Sequence, residues 1–186
     1  MRALITGGAG FIGSHLANFL LDKGWTIDIV DNLSSGEKKN LSDFGIEIPD
    51  WAAPYEFETD KHVTFYNSSY DSPAILHNIA SKQYDIVFHL AAIPRVSYSV
   101  EYPTETTENN LGKMINLLGA CRGNIKRFVF SSSSSVYGGA DVLPTSENTE
   151  HDPKSPYALQ MSAGEEFIKL YSSLYGLDAI SLRYFN

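Results

Sequence analysis

The sequence predicts an α/β fold, a doubly wound parallel sheet with helices on both faces. Two observations carry this prediction. Short apolar runs of strand length alternate with helical patterns along the chain until six strands have been formed, and the first run leads directly into a cluster of glycines. Such alternation is typical of parallel sheets with right-handed crossovers. The chain has 186 residues and a hydrophobic content of 43%, which favours one domain over residues 1–186.

The first unit is a strand, a glycine-rich turn, a helix and a second strand. An apolar run at 3–5 precedes the glycines, and a second run at 27–30 ends on Asp31. Glycines at such a turn let backbone approach a pyrophosphate, which the N-terminus of the following helix attracts. An acidic residue after the second strand suits the hydroxyls of an adenosine ribose and would repel a 2′-phosphate. The unit therefore predicts a Rossmann-type dinucleotide site that prefers NAD to NADP.

The remaining elements follow in order along the chain. Residues 32–61 are rich in Ser, Gly, Asp, Glu and Pro and predict a long irregular excursion within the domain. Further strands are predicted at 63–66, 85–90, 127–130 and 179–184, and helices at 73–82, 103–122 and 156–175. The expected strand order is 3-2-1-4-5-6, which places a ligand beyond the carboxyl ends of the strands. Polar segments that follow strands four, five and six lie at that edge and form the candidate site.

Charge, hydropathy and cysteine content disfavour several other classes of protein. Acidic residues outnumber basic ones 22 to 14, and no basic block stands out, so nucleic acid and anionic membranes are poor partners. No apolar run approaches the roughly 20 residues that span a bilayer. The single cysteine, Cys121, lies in an apolar helical pattern typical of a buried core residue in a reducing compartment. We expect a cytoplasmic protein without a metal site.

Six segments carry a family resemblance. They are TGGAGFIG (6–13), VDNLSSG (30–36), HLAA (89–92), FSSSSSVYG (130–138), SPYALQ (155–160) and LRYFN (182–186). In this order they resemble the extended short-chain dehydrogenase/reductase family, most closely its nucleotide-sugar epimerases of the UDP-glucose 4-epimerase type. The resemblance implies a nucleotide-sugar substrate, with a UDP-sugar favoured, that is epimerised by transient hydride transfer to NAD.

The resemblance also implies roles for individual residues. Tyr157 corresponds to the family's catalytic base, and Ser133 to the hydroxyl that bridges substrate and tyrosine. Asn186 corresponds to a position near the nucleotide sugar. The implied cofactor contacts are Gly7, Gly10, Phe11, Ile12, Gly13, Asp31, Asn32, Leu90, Ala91, Ala92, Asn110, Tyr157 and Tyr184. Ser134 and Ser135 occupy the positions at which the family's 4,6-dehydratases carry an Asp-Glu pair, so dehydration is disfavoured.

The most consequential departure from the family pattern is Met161, which stands at the lysine position of YxxxK. Residues four apart share a helix face. A unit charge about 5 Å from the phenol, at an effective dielectric near 20, would contribute roughly 3 kcal/mol to phenolate formation. Methionine supplies no charge, and we predict an activity lowered by roughly a hundredfold or more.

Three further departures follow from the same comparison. Ser68-Ser69 replaces a Gly-Asp pair whose aspartate meets the adenine amino group, and Lys113 replaces a glycine. Family members also continue beyond LRYFN into a further strand and a substrate domain, so this sequence is expected to hold the cofactor half without that domain.

Three functions remain open from the sequence. The first is an NAD-dependent nucleotide-sugar epimerase, which the pair Ser133 and Tyr157 favours. The second is a catalytically silent NAD-binding module, which Met161 favours, and the third is a sugar-nucleotide dehydrogenase or reductase. The family resemblance implies a homodimer formed through the helices at 103–122 and 156–175. The alternative for those helices is that their apolar residues only cover the sheet.

Overall fold

A computed structural model describes residues 1–46, 56–58, 62–139 and 143–185. Its strands are β1 (Arg2–Thr6), β2 (Thr26–Asp31), β3 (Glu56–Glu58), β4 (Val63–Asn67), β5 (Ile86–His89), β6 (Arg127–Ser133) and β7 (Ala179–Tyr184). Its helices are α1 (Phe11–Asp22), α2 (Pro73–Ala80), α3 (Val96–Glu101), α4 (Pro103–Thr107), α5 (Lys113–Cys121) and α6 (Pro156–Tyr175). Two short 3-10 segments, Lys38–Phe44 and Ser134–Tyr137, connect them.

The strands form one sheet in the order β3-β4-β2-β1-β5-β6-β7. Six of them are parallel to their neighbours, and their order confirms the predicted 3-2-1-4-5-6 arrangement. The seventh, β3, pairs antiparallel with β4 at the edge of the sheet. It lies inside residues 32–61, which the sequence predicted to be irregular. Three residues are too few to show the alternation of side chains that is typical of a strand. This strand forms because it pairs with β4.

Two apolar clusters cover the two faces of the sheet. One face packs against α1 and the 3-10 segment at Lys38–Phe44, through residues such as Ala17, Leu41 and Phe44. The other face packs against α2, α5 and α6, where Cys121 is fully buried. Burial raises the pKa of the Cys121 thiol, so this side chain behaves as the core residue that the sequence predicted.

Two helical predictions need correction. The predicted helix 103–122 is divided into α4, a π-helical turn at Glu108–Gly112, and α5. The short helix α3, which follows the loop after β5, is an element that the sequence did not predict. Ser99 in α3 is fully buried, and its hydroxyl accepts a hydrogen bond from Tyr157 N at 3.1 Å. Helix α3 therefore forms where it can pack against α6.

Among the described residues, no helix combines the length and the apolar character that crossing a membrane requires.

Candidate functional site

A cleft of about 990 Å³ lies at the carboxyl edge of the sheet. Its walls come from the glycine turn after β1, the loops after β2 and β4, the loop after β5, and the serines at the end of β6. Tyr157 at the start of α6 and Tyr184 at the end of β7 complete it. The structure thus brings together, at one edge, segments that are far apart in sequence, as the parallel topology requires.

The glycine turn forms a cradle that side chains would fill. Gly7 has a φ of +72°, and a Cβ built on it would lie 2.8 Å from Ala91 N. A Cβ on Gly13 would lie 2.4 Å from Gly7 O, which is backbone and cannot move aside easily. The first N–H groups of α1 have no partner within the helix and carry a partial positive charge. This cradle fits a pyrophosphate, and Phe11 and Ile12 beside it are exposed and line the same wall.

Asp31 is held at the end of β2 by two backbone hydrogen bonds. Its Oδ2 accepts from Ala9 N at 3.0 Å, and its Oδ1 accepts from Leu33 N at 2.8 Å. Burial raises the pKa of the carboxyl, and these two hydrogen bonds partly oppose that shift. Each oxygen keeps a lone pair for a further donor, which is what a ribose with two free hydroxyls would supply. Asn32 lines the cleft next to it.

The floor of the cleft is the segment that follows β5. Leu90, Ala91 and Ala92 line it, and Ala91 N donates to the Thr6 hydroxyl at 3.2 Å. The Thr6 hydroxyl and His89 Nδ1 share a hydrogen bond of 2.7 Å. Burial lowers the pKa of His89 to about 3, so this imidazole is neutral, and it packs beneath the floor without lining the cleft.

Ser133 and Tyr157 meet in the wall formed by β6 and α6. Both side chains line the cleft, and Ser133 Oγ accepts from Ser135 N at 3.2 Å. Burial raises the pKa of the half-buried Tyr157, and the nearby Ser133 hydroxyl only partly opposes this. In the described part of the chain, Ser135 Oγ is the only buried side-chain polar atom without a hydrogen-bond partner, and Ser135 lines this same wall. The wall therefore offers polar groups to a ligand.

Met161 is not among the residues that line the cleft. Its side chain is 1% exposed and belongs to the apolar cluster on the α6 face of the sheet. Among the described residues that line the cleft, the only cationic side chain is that of Arg95, an exposed residue at the start of α3. No ammonium group stands four residues after Tyr157 to favour its phenolate.

Asn110 lies behind the wall of the cleft and not in it. Its Oδ1 accepts from Ile93 N at 2.7 Å, and its Nδ2 donates to Ile93 O at 3.1 Å and to Gln160 Oε1 at 2.8 Å. Gln160 Nε2 in turn donates to the hydroxyls of Thr106 and Thr107, each at 3.0 Å. This network ties the loop after β5 to α6 through the π-helical turn, so Asn110 positions the site from below.

A buried ion pair that the sequence analysis did not single out supports the other side of the site. Glu165 is 2% exposed and accepts from the Arg183 guanidinium on both oxygens, the shortest contact being 2.7 Å. Ser132 donates to Glu165 Oε1 at 2.5 Å. Arg183 Nη1 also donates to Tyr137 Oη at 2.6 Å and to Glu147 O at 2.9 Å. The only sequence signal for this ion pair was that Arg183 lies within the LRYFN segment and that Glu165 follows the SPYALQ segment.

Of the residues predicted to hold cofactor or substrate, all that are described line the cleft except Asn110. Asn186 lies outside the described residues. The structure adds Ser68, Ser69 and Asn109 at the β4 end and Ser135, Leu143 and Phe185 at the β7 end. The comparison with the family pattern had already named Ser68, Ser69 and Ser135, whereas nothing in the sequence marked Leu143 or Asn109.

The parallel sheet, the glycine cradle and the carboxylate after β2 define a dinucleotide-binding protein of the Rossmann class. The profile of the NAD dependent epimerase/dehydratase family matches residues 3–186, and the chain belongs to this family. NAD is the cofactor of that family, and the cradle and Asp31 fit it.

Individual relatives agree with this membership. The UDP-glucose 4-epimerase of Halalkalibacterium halodurans is 35% identical over 188 residues, which cover 100% of this chain and 51% of that protein. Two solved structures are similar, the UDP-glucose 4-epimerases of Thermotoga maritima with UDP-glucose (33% identity, TM-score 0.83) and of Thermus thermophilus with NAD (34% identity, TM-score 0.81). In both cases the match covers 99% of this chain and 55% of the other. The chain thus spans about half the length of the relatives it matches.

Proposed function

We propose that the chain binds NAD across the cleft and supplies the cofactor-binding part of a UDP-sugar 4-epimerase. The observation that carries this proposal is that Ser133 and Tyr157 both stand in the wall of the same cleft as the glycine cradle. Family membership supports NAD as the cofactor. Relatives named as UDP-glucose 4-epimerases support the substrate class.

In this proposal the chain's own residues handle the proton of the sugar hydroxyl. Tyr157 takes that proton at its phenolic oxygen, and Ser133 donates to the sugar oxygen on which negative charge develops. Gly7 and Gly13 keep the cradle open, and Asp31 holds the adenosine ribose. NAD held by the glycine cradle and Asp31 would supply a reversible hydride acceptor for the sugar carbon.

We further propose that proton transfer in this chain is slow at neutral pH. Burial raises the pKa of Tyr157 above its ordinary value near 10, and Met161 supplies no opposing charge. A phenol with an ordinary pKa is ionised only about one part in a thousand at pH 7. The rate should therefore rise with pH through the neutral range without reaching a plateau below about pH 10.

A silent NAD-binding module is the second candidate function, and the burial of Met161 favours it. The methionine packs in the apolar core. Its side chain therefore contributes to stability and does nothing to lower the pKa of the Tyr157 phenol. In that case NAD binding would be intact while epimerisation would be absent at every pH.

The test compares the wild-type chain with Tyr157→Phe, Met161→Lys and, as a control for core packing, Met161→Leu. NAD binding is measured by calorimetry, and the interconversion of UDP-glucose and UDP-galactose is measured from pH 6 to 10. We expect all four proteins to bind NAD and Tyr157→Phe to lose epimerisation. Met161→Lys should gain roughly a hundredfold at pH 7, with its pH profile shifted to lower pH, and Met161→Leu should match the wild type.

Three other outcomes would change the conclusion. Equal activity of wild type and Met161→Lys would contradict the argument about the missing ammonium. NAD binding without epimerisation in any variant would support the silent module. Net release of reduced cofactor would indicate a dehydrogenase.

A homodimer is also proposed, through the faces of α6 and of residues 103–121. Leu159, Leu170 and Leu174 on α6 are each about half exposed or more (58%, 49% and 59%). Leu111 and Ile115 in the neighbouring segment are partly buried. Removing such an apolar face from water would favour association.

A further inference from the structure

Arg95 brings a positive charge to the part of the cleft that holds Tyr157. It is the N-cap residue of α3, and its backbone oxygen accepts from Ser99 N at 3.0 Å. Ser99 Oγ in turn accepts from Tyr157 N at 3.1 Å. One helical turn, about 5 Å, therefore separates Arg95 from the residue that contacts the start of α6. Arg95 and Tyr157 line the same cleft.

The surroundings of Arg95 leave its guanidinium available to a ligand. The residue is exposed, and within the described ranges its side chain forms neither a hydrogen bond nor an ion pair. Of the described residues that line the cleft, Asp31 alone is acidic. It lies at the end of β2, which two intervening strands separate from β6, a distance of roughly 14 Å across the sheet. The guanidinium can therefore bind an anionic group of a ligand, and its planar fork of donors matches a carboxylate.

A polar group without a partner lies in the same cleft. Ser135 N donates to Ser133 Oγ at 3.2 Å, which places Ser135 beside the wall that holds Tyr157. The Ser135 hydroxyl is buried and has no hydrogen-bond partner among the described residues. Buried polar groups are nearly always paired, so an unpaired one indicates that a ligand or a water completes it. Arg95 and Ser135 thus add one cationic and one neutral donor to this part of the cleft.

The chemistry at Tyr157 determines which atoms of a sugar lie beside these two donors. In the proposed function, on which this inference rests, Tyr157 takes the proton of the hydroxyl on C4. C5 is bonded to C4 and carries the C6 group, so the C6 group of a hexose lies next to the reacting hydroxyl. In a neutral hexose that group is a hydroxymethyl, which leaves the charge of Arg95 unmatched. In a hexuronate it is a carboxylate, which a guanidinium binds through two parallel hydrogen bonds.

We propose that the cleft selects a nucleotide sugar with a carboxylate at C6, a UDP-hexuronate, and that Arg95 binds this carboxylate together with the Ser135 hydroxyl. The chain has a net charge of -8, which repels anions at long range. A cation at the binding position offsets that repulsion only for a substrate that places its own charge there. Arg95 thus determines specificity, and Tyr157 keeps its role in proton transfer.

The experiment measures the dissociation constants of UDP-glucuronate, UDP-glucose and UDP by calorimetry, on protein saturated with NAD. The proteins are the wild type, Arg95→Gln, Arg95→Lys and Ser135→Ala. Arg122→Gln is the matched control, because Arg122 is exposed at the end of α5 and does not line the cleft. The wild type and Arg122→Gln should bind UDP-glucuronate at least roughly tenfold more tightly than UDP-glucose, as a charge-assisted pair predicts.

The variants separate the charge of the Arg95 side chain from its shape. In Arg95→Gln the preference for UDP-glucuronate should disappear, while UDP-glucose and UDP bind as they bind the wild type. Arg95→Lys keeps the charge but loses the planar fork, so it should keep only part of the preference. Ser135→Ala should weaken UDP-glucuronate by roughly threefold to tenfold, the effect of one lost hydrogen bond, and leave UDP unchanged.

Three results would overturn this assignment. Equal weakening of all three nucleotides in Arg95→Gln would show that Arg95 binds the diphosphate and not a sugar carboxylate. An unchanged ratio in Arg95→Gln, or a wild type that does not prefer UDP-glucuronate, would overturn the assignment while NAD binding, measured alone, stays intact. Absence of NAD binding to the wild type would overturn the proposed function itself, and this assignment with it.

Discussion

Gly13 shows most directly how one residue can keep a ligand site open. A Cβ at this position would meet three backbone atoms, Gly7 O at 2.4 Å, Gly8 Cα at 2.7 Å and Gly7 C at 3.1 Å. The backbone of Gly7 and Gly8 would therefore have to move away from α1, and the cradle for the phosphates would change shape.

We predict that Gly13→Ala weakens NAD binding by at least roughly tenfold, because the displaced backbone would lose hydrogen bonds to the phosphates. Calorimetric titration with NAD measures this change. Gly119→Ala is the matched control, because a Cβ there meets nothing within 4 Å. In the interior of α5, alanine should stabilise the chain by up to about 1 kcal/mol and leave NAD affinity unchanged. Wild-type affinity in Gly13→Ala would show that the phosphates bind elsewhere.

At the scale of elements, α6 serves three purposes with different faces. Its first turn presents Tyr157 to the cleft, and its buried face carries Gln160, Met161 and Glu165. Its outer face carries exposed leucines. A helix that is apolar on more than one face has more than one surface to cover, which is the basis for the proposed dimer.

We predict that the wild-type chain is a dimer in size-exclusion chromatography with light scattering, and that the double variant Leu170→Lys, Leu174→Lys is a monomer. The two leucines are one turn apart and share a face, so the introduced charges would face each other across the interface. Phe19→Lys is the control, since Phe19 is also exposed (57%) but lies on α1 at the opposite face of the sheet. A monomeric wild type, or dissociation by Phe19→Lys alone, would contradict the proposed interface.

At the scale of the whole molecule, the ion pair of Glu165 and Arg183 joins α6 to β7 and, through Ser132, to β6. Burial, the largest influence, would raise the pKa of the Glu165 carboxyl. The hydrogen bonds from Arg183 and Ser132, together with the charges of Arg183 and His151, outweigh it, and the pKa lies below its ordinary value of 4.5. A carboxyl whose pKa is lower when folded stabilises the protein above its unfolded pKa. That contribution is lost as pH falls through the folded value.

We predict that the free energy of unfolding, measured by urea denaturation, declines as pH falls below about 4.5. In Glu165→Gln the unfolding free energy should be lower by about 3 kcal/mol at pH 7, because Arg183 is left without its carboxylate. The part of the acid-induced fall in unfolding free energy that comes from Glu165 should also disappear in this variant. Glu166→Gln provides the control, since that neighbour is exposed and its ion pair with Lys169 is worth little. An acid profile in Glu165→Gln identical to that of the wild type would show that other carboxyls govern it.

The sequence by itself determined the six parallel strands, their order, the glycine cradle and Asp31. These features depend on patterns within about 30 consecutive residues and on the handedness of crossovers, which leave few topologies open. Only the tertiary structure decided the antiparallel edge strand β3, the position of Asn110 behind the wall, and the contact between Ser69 and Lys113. Each of these features is a contact between segments that are separate in the sequence, and the hydrophobic periodicity of one segment does not predict which other segment it will contact. Ser69 and Lys113 are 44 residues apart. No pattern in the sequence of either segment indicates that their side chains meet. They come within hydrogen-bonding distance only because the separate elements that carry them pack together.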